Sequence, residues 1–312
     1  VELDQIVGLS GLVALALVPY VLASQGTMLA GRTGQFIVFQ EGLMLASASL
    51  GFLGAYQFGS LWAGILVAIL TGVIFGLVFA YFTTTLKLNQ FVTGLAFFFI
   101  GLAISTLAFK LAVGVTLTPP LIPTVQEVPI PLLSQIPILG EILFNQNLFV
   151  YFVALLSLFL YLFLYKTSYG LELRSVGENP RAADSLGINV TRMRYAAAIT
   201  GAVLIALGGI YLPMVYTGTF TEGIVQARGW LAIALTFFGG WRPQTIFLGA
   251  LFFATVEVIA LRAQIFGGNI PHQLLLTLPF IATLLIMILG AKWARLPAFL
   301  GQNYDREKRS VL

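Results

Sequence analysis

A succession of long apolar stretches constrains this chain more than any other feature. Residues 6–22, 61–82, 91–113, 148–165, 195–215, 246–261 and 274–289 are each mainly apolar, and two shorter or glycine-rich stretches lie near 43–56 and 229–240. A hydrocarbon core about 30 Å thick is crossed by about 20 mainly apolar residues in a helix. Backbone groups inside lipid must bond within their own segment, so such stretches can only be helices. An outer-membrane barrel would instead alternate apolar and polar residues over about ten positions, and nothing in this chain does. With 59% hydrophobic and 9% charged residues and a mean hydropathy of +0.96, an ordinary soluble domain, about a quarter charged, is excluded. The expectation is a single all-α, polytopic transmembrane domain over residues 1–312 with eight to ten spans in contact with membrane lipid.

Charge sets the topology. The polar island 166–194, KTSYGLELRSVGENPRAADSLGINVTRMR, holds five of the sixteen basic residues and three of the twelve acidic ones. This island and the basic tail 292–309 should face the cytoplasm by the positive-inside bias, which also accounts for the net charge of +4 without a nucleic-acid partner. Four crossings fit between them, with Trp241, Arg242 and Pro243 in a tight inner turn. Working back, 148–165 runs inward, and the proline-rich segment 114–147, with two glutamates and no basic residue, is external. Stretch 91–113 then runs outward and 61–82 inward. The first stretch lacks a basic flank, reads as a retained span rather than a signal peptide, and has its N-terminal end outside.

Two segments resemble each other. IVFQEGLMLASASLGFLGAY begins at Ile37 and IVQARGWLAIALTFFGGW at Ile224. Each opens Ile-Val, has a glycine five positions later (Gly42, Gly229), and leads into a glycine-containing helix. The charge-based topology sends the first outward and the second inward. Opposed repeats around a midplane site are a transporter architecture.

Ionisable residues inside a membrane default to functional hypotheses. Glu41 and Arg228 precede the two repeat glycines, where a helix N-terminus would leave free N–H groups facing inward. Glu257 is the other embedded acid, a pathway group or an interhelical hydrogen-bond partner. Gly42 belongs to the same segment as Glu41. Asn89 and Gln90 open the 91–113 stretch, as a cap or as cavity-lining groups. Gly72 and Gly76 form a small-xxx-small pair suited to close helix packing. His272, with no Cys/His/Asp cluster around it, reads as an interfacial polar residue rather than a metal ligand. The chain has no cysteine. It has no GxxxxGK[ST] loop, HExxH or GxSxG with partners. An energy source would therefore come from another subunit or an ion gradient, and no paired catalytic residues converge as a membrane enzyme would need.

Within the island, Asn179 can cap a short helix over 181–186, with Pro180 at its first turn and Gly187 ending it. Arg181 and Asp184 are expected to be exposed, which suits docking to a soluble protein. GLELRSVGENPRAADSLGIN resembles the cytoplasmic signature of permease subunits in the ribose/branched-chain type of ABC importer. GRTGQFIVFQEGLMLASA, LNQFVTGLAFFFIGLA and VPIPLLSQIPILGEILFNQNLFVY are similar to further segments of that family, the last to the external loop of its nucleoside subfamily. Where such permeases often read GVxNIGLEG, this chain reads GQFIVFQEG, with Phe39 in place of a small residue, which bears on the width and polarity of the pocket.

The resemblance implies a heteromeric importer of the bacterial cytoplasmic membrane. Its parts would be this permease, a second, paralogous permease, ABC ATPase subunits carrying ATP and magnesium, and an external substrate-binding lipoprotein delivering a nucleoside. This chain itself would bind no cofactor. Carried over by motif, Glu178, Asn179, Pro180, Arg181, Ala182, Ala183 and Asp184 belong to the ATPase-coupling region, and Glu41, Gly42, Asn89 and Gln90 lie near the pathway. A ribose-type sugar permease and an ion-coupled secondary transporter are the alternatives.

Overall fold

The computed structural model describes residues 2–114, 119–131, 134, 136, 139–265, 277–278, 281–282, 284–285, 288 and 296–306. The expected stretch 274–289 and His272 lie largely or wholly outside the described residues. The elements are almost all helical: α1 (Glu2–Gly31), α2 (Gln40–Phe58), α3 (Leu61–Ala80), α4 (Gln90–Val113), α5 (Leu139–Phe144), α6 (Leu148–Lys166), α7 (Ser168–Glu178), α8 (Pro180–Ser185), α9 (Val190–Leu212), α10 (Arg228–Phe238) and α11 (Pro243–Ile265). Among the described residues one antiparallel pair, β1 (Glu127–Pro129) with β2 (Asn145–Asn147), ties the proline-rich segment together with Glu127 opposite Asn147.

Among the described residues six helices are long and apolar enough to span a membrane. At 19 residues, α2 is about 28 Å long, enough to cross most of the core, although its polar and small residues make it less apolar. The 11 residues of α10 reach only about 16 Å. It is therefore a half-span. The first span is longer than the 6–22 stretch: α1 continues through Met28 and Ala30, both fully buried, to Gly31. Its C-terminal half packs against protein rather than lipid, so polar Gln25 and Thr27 are acceptable there and hydropathy alone ends the span too early.

One end of the bundle collects the charge. Arg32 donates to the Trp241 carbonyl (2.8 Å) and the Tyr165 hydroxyl (3.1 Å), Arg194 donates to the Thr33 carbonyl (3.2 Å), and Lys87 pairs with Asp305 (2.9 Å). By the positive-inside bias this end is cytoplasmic. The opposite end carries the β pair and the Lys110–Glu222 pair (3.0 Å). Relative to this charged end, α3, α6 and α10 run toward it and α4, α9 and α11 away from it, with the 241–243 turn beside Arg32, the relative order that the charge-based topology expects.

The two similar segments run in opposite directions. Residues 33 and 34 form a turn at the cytoplasmic end, and 35–39 lead without regular secondary structure into the interior, where α2 starts and runs outward. Residues 218–227 descend from the outer end as turns, and α10 starts in the interior and runs to Trp241 at the cytoplasmic end. Small residues hold the core. A Cβ on Gly72 would come within 2.7 Å of the Val203 Cα, and one on Gly76 equally close to the Ile199 Cα. These glycines let α3 and α9 touch backbone to backbone, while Leu66, Leu70 and Ile74 of α3 are exposed.

Candidate functional site

The two interior helix starts meet. The Glu41 carboxylate, on the first turn of α2, accepts the Ala227 N–H through Oε1 (2.9 Å) and the Gly229 N–H through Oε2 (2.8 Å). It thereby satisfies donors that the first turn of α10 leaves free and places a negative charge where the helix dipole favours one. The backbone is bent to allow this: Gln226 and Ala227 both lie in the left-handed region, at φ +51 and +61. Glycine is required at 229, where a Cβ would come within 2.5 Å of the Glu41 nitrogen.

Arg228 turns the other way. Its Nη2 pairs with Glu257 Oε1 of α11 at 2.5 Å, and its Nη1 donates to the carbonyls of Ile224 (3.3 Å) and Val225 (3.2 Å). The Tyr216 ring lies 6.0 Å from the guanidinium. Burying the pair costs several kcal/mol per ion before their attraction offsets it. Among the described residues the compensation is incomplete, because the buried Arg228 Nε and Glu257 Oε2 atoms make no hydrogen bond there. A cavity of about 130 Å³ reaches Glu257 between Leu12, Ala16, Tyr216 and Arg262. At about 30 Å³ per water it has room for a few waters. Thus Glu41, Arg228 and Glu257, singled out separately in sequence, form one buried polar centre.

The other interior candidates fall elsewhere. Gly42 is a packing contact: a Cβ there would lie 2.4 Å from the Phe98 carbonyl oxygen of α4. Asn89 caps α4, its Oδ1 accepting the Val92 N–H at 3.1 Å. Gln90 is almost fully buried and is engaged at the cytoplasmic end. Its Oε1 accepts the Phe36 N–H (2.7 Å), and its Nε2 donates to the Gln302 carbonyl and Asn303 Oδ1 (3.2 Å each). Both residues act as joints in the described conformation rather than as free cavity-lining groups. Phe39 does not narrow a pocket. It is fully buried among Phe75, Phe79 and Phe97, with ring centroids 6.2, 4.9 and 5.7 Å away.

At the cytoplasmic end the island folds as α7 and α8. Asn179 Oδ1 accepts the Ala182 N–H (3.0 Å) and Pro180 occupies the first turn; Gly187, at φ +86, ends the helix. Ala183 is buried with Val176 and Val190, which seats α8 on α7 and α9. Arg181, Ala182, Ser185 and Leu186 are exposed, and Leu186 keeps 80% of its surface in solvent. Asp184 differs from expectation. It is half-buried, accepting the Tyr304 hydroxyl (2.9 Å) and pairing with Arg306 (3.0 Å), because α8 turns that side toward the chain's C-terminal segment. Glu178 likewise accepts the Ala298 N–H (3.3 Å). The roles of Asn303 and Tyr304 were missed in the sequence, where 292–309 served only as a basic marker. The polar run GQNYDR inside it was the available signal.

A multi-pass helical bundle with opposed helix starts meeting inside it, and a short rigid helix presented at its charged end, is an arrangement of the kind transporters use. The chain belongs to the family described as branched-chain amino acid transport system / permease component, whose model matches residues 9–289. It is similar to the guanosine ABC transporter permease NupQ of Bacillus subtilis, 30% identical over 93% of this chain and 94% of that one. It is equally similar, at 30% identity and the same shares, to the nucleoside ABC transporter permease NupC of Lactococcus lactis. A Haloferax volcanii protein named for glucose ABC transport is 28% identical over 92% of this chain and 94% of that one. This is therefore the transport subunit of an ABC importer, not an enzyme, and it works with an ATPase and other transporter components.

Proposed function

We propose that this chain passes nucleosides across the bacterial cytoplasmic membrane, driven by a partner ATPase that holds ATP and magnesium. The observation that carries the coupling half of the proposal is α8: a capped helix whose outer face offers Arg181, Ala182, Ser185 and Leu186 to a soluble partner. Docked there, the ATPase moves α8 when it closes on ATP. Glu178, Asn179, Pro180 and Ala183 hold the helix in place, and Asp184 fixes it from the inner side.

The substrate half rests on two relatives named for guanosine and nucleoside transport that align along nearly the whole chain. A glucose-named relative of similar reach keeps a sugar as the second reading. The centre formed by Glu41, Arg228 and Glu257 is the proposed gate. Its unsatisfied Arg228 Nε and Glu257 Oε2 are one donor and one acceptor available to hydroxyl-bearing solutes when the helices part. Gly42 acts next to Glu41 as a packing contact with α4, and Asn89 and Gln90 act at the cytoplasmic end as joints. An external lipoprotein delivers the substrate, and a second, paralogous permease completes the pathway.

The test is reconstitution of the chain with its ATPase, second permease and binding lipoprotein in proteoliposomes. ATP-dependent uptake of labelled guanosine, not displaced by excess glucose, is the expected result. Uptake of glucose but not guanosine selects the second reading, and uptake driven by an ion gradient without ATP removes both.

A further inference from the structure

The C-terminal segment 297–306 crosses the cytoplasmic end of the bundle and touches several elements there in turn. The Phe299 N–H donates to the Gly177 carbonyl of α7, and the Gly301 N–H to the Gly34 carbonyl in the turn between α1 and α2, both at 2.9 Å. The Gln302 carbonyl accepts from Arg194 Nη2 of α9 (3.1 Å) and from Gln90 Nε2 of α4 (3.2 Å). Asn303 Nδ2 donates to the carbonyls of Lys87 (2.6 Å) and Leu88 (2.9 Å) in the turn between α3 and α4. Next along the segment, Tyr304 donates to Asp184 of α8, and Arg306 pairs with the same carboxylate.

A six-residue helix such as α8 moves membrane spans only if it is tied to them. Its covalent ties are to α7 through Asn179 and to α9 through a turn at Gly187, where φ is positive. By packing they already reach the stretch before α2 and α2 itself, with Gly177 of α7 against the Arg32 carbonyl and Gly209 of α9 against the Met44 carbonyl. The C-terminal segment adds α4, because it joins Asp184 to the α3–α4 turn, to the first turn of α4 and to Gly34. From Gly34 the chain runs on to Glu41. Arg194 is fully buried within this junction, bonded both to the Thr33 carbonyl of that stretch and to the Gln302 carbonyl.

We infer that residues 297–306 form a transmission strap that carries the displacement of α8 to α4 and to the stretch leading to Glu41, with Asn303 and Tyr304 as its positioning residues. This rests on the proposal that an ATPase drives α8. The strap makes coupling a property of two routes. Movement reaches α9, and through its packing α2, by way of the chain itself, and it reaches α4 through side-chain and backbone hydrogen bonds of the strap.

The experiment uses the reconstituted complex with Asn303→Ala, Asn303→Gln and the pair Tyr304→Phe/Arg306→Ala. Thermal stability, ATP hydrolysis stimulated by loaded binding protein, and substrate moved per ATP are read together. Asn303→Ala and the pair should keep hydrolysis and assembly while substrate moved per ATP falls, on the order of tenfold, as when a link in a coupling route is cut. Asn303→Gln, which keeps an amide donor, should recover part of the loss. If the wild-type complex couples and Asn303→Ala couples equally well, the strap is overturned alone. A parallel fall in stability, assembly and hydrolysis also overturns it, since that marks a structural clasp. A wild-type complex that moves substrate without ATP removes the functional reading, and the strap with it.

Discussion

Glu41 accepts the Gly229 amide at 2.8 Å across the interior of the bundle, joining the start of α2 to the start of α10, 188 positions further along the chain. The same carboxylate takes the Ala227 amide at 2.9 Å. An acidic side chain is tolerable there because two backbone donors and a helix N-terminus compensate it. The two repeats are thus locked to each other through a carboxylate rather than through apolar contact alone.

Removing that carboxylate should loosen both repeats. Glu41→Ala leaves two buried N–H groups without acceptors, at about 1–3 kcal/mol each, while Glu41→Gln retains one acceptor oxygen. Thermal unfolding in detergent should rank wild type above Gln and Gln above Ala. An Ala variant as stable as wild type would show that the cap carries no weight.

The Arg228–Glu257 pair should behave as a unit. Arg228→Met strands a buried carboxylate, a loss of about 3–5 kcal/mol. Arg228→Met combined with Glu257→Gln should recover most of it. A double-mutant cycle by denaturation measures this, and losses that simply add would contradict the pairing.

Gly229→Ala places a methyl where the Glu41 backbone nitrogen leaves only 2.5 Å. The start of α10 must then retreat, so uptake should fall at least tenfold while ATPase binding at the cytoplasmic end persists, because a displacement of about 1 Å is enough to break these hydrogen bonds. Uptake at wild-type level in a folded Gly229→Ala protein would mean that the two helix starts separate freely.

On α8, Leu186→Asp should weaken ATPase co-purification by about tenfold, the equivalent of about 1.4 kcal/mol, without moving the permease's melting temperature. A largely exposed leucine contributes nothing to the isolated fold but can anchor an interface. Asn179→Ala should instead cost about 1 kcal/mol locally by loss of the cap, visible as faster hydrogen exchange at the Ala182 amide. Unchanged exchange there would contradict the cap.

Much of this arrangement was legible along the chain. The apolar lengths specify the spans, basic residues specify the side, and a glycine after each of Glu41 and Arg228 marks the two interior helix starts. The cap at Asn179 and the stop at Gly187 are local and were read directly, because capping depends on residues within one turn. The end of α1 was not: its final polar and small residues look like a loop unless it is known that protein, not lipid, surrounds them.

What hydropathy, charge and caps determined in the sequence is therefore a polytopic helical bundle with opposed halves and a short helix at its charged end, since these signals act locally, while the permease reading came from the resemblance of its motifs to a known family. Tertiary structure alone decided the partners. Arg228 meets Glu257, Phe39 joins the Phe79 and Phe97 rings, and Asp184 faces Tyr304 rather than solvent. The physical reason is that lipid and protein core are both apolar, so hydropathy does not distinguish the packed side of a span from the exposed one. Leu70 and Ile74 face outward on α3 while Gly72 and Gly76 make its tightest contacts. Which residues meet across such faces is fixed by close packing between segments far apart in the chain, and that information exists only once the helices are assembled.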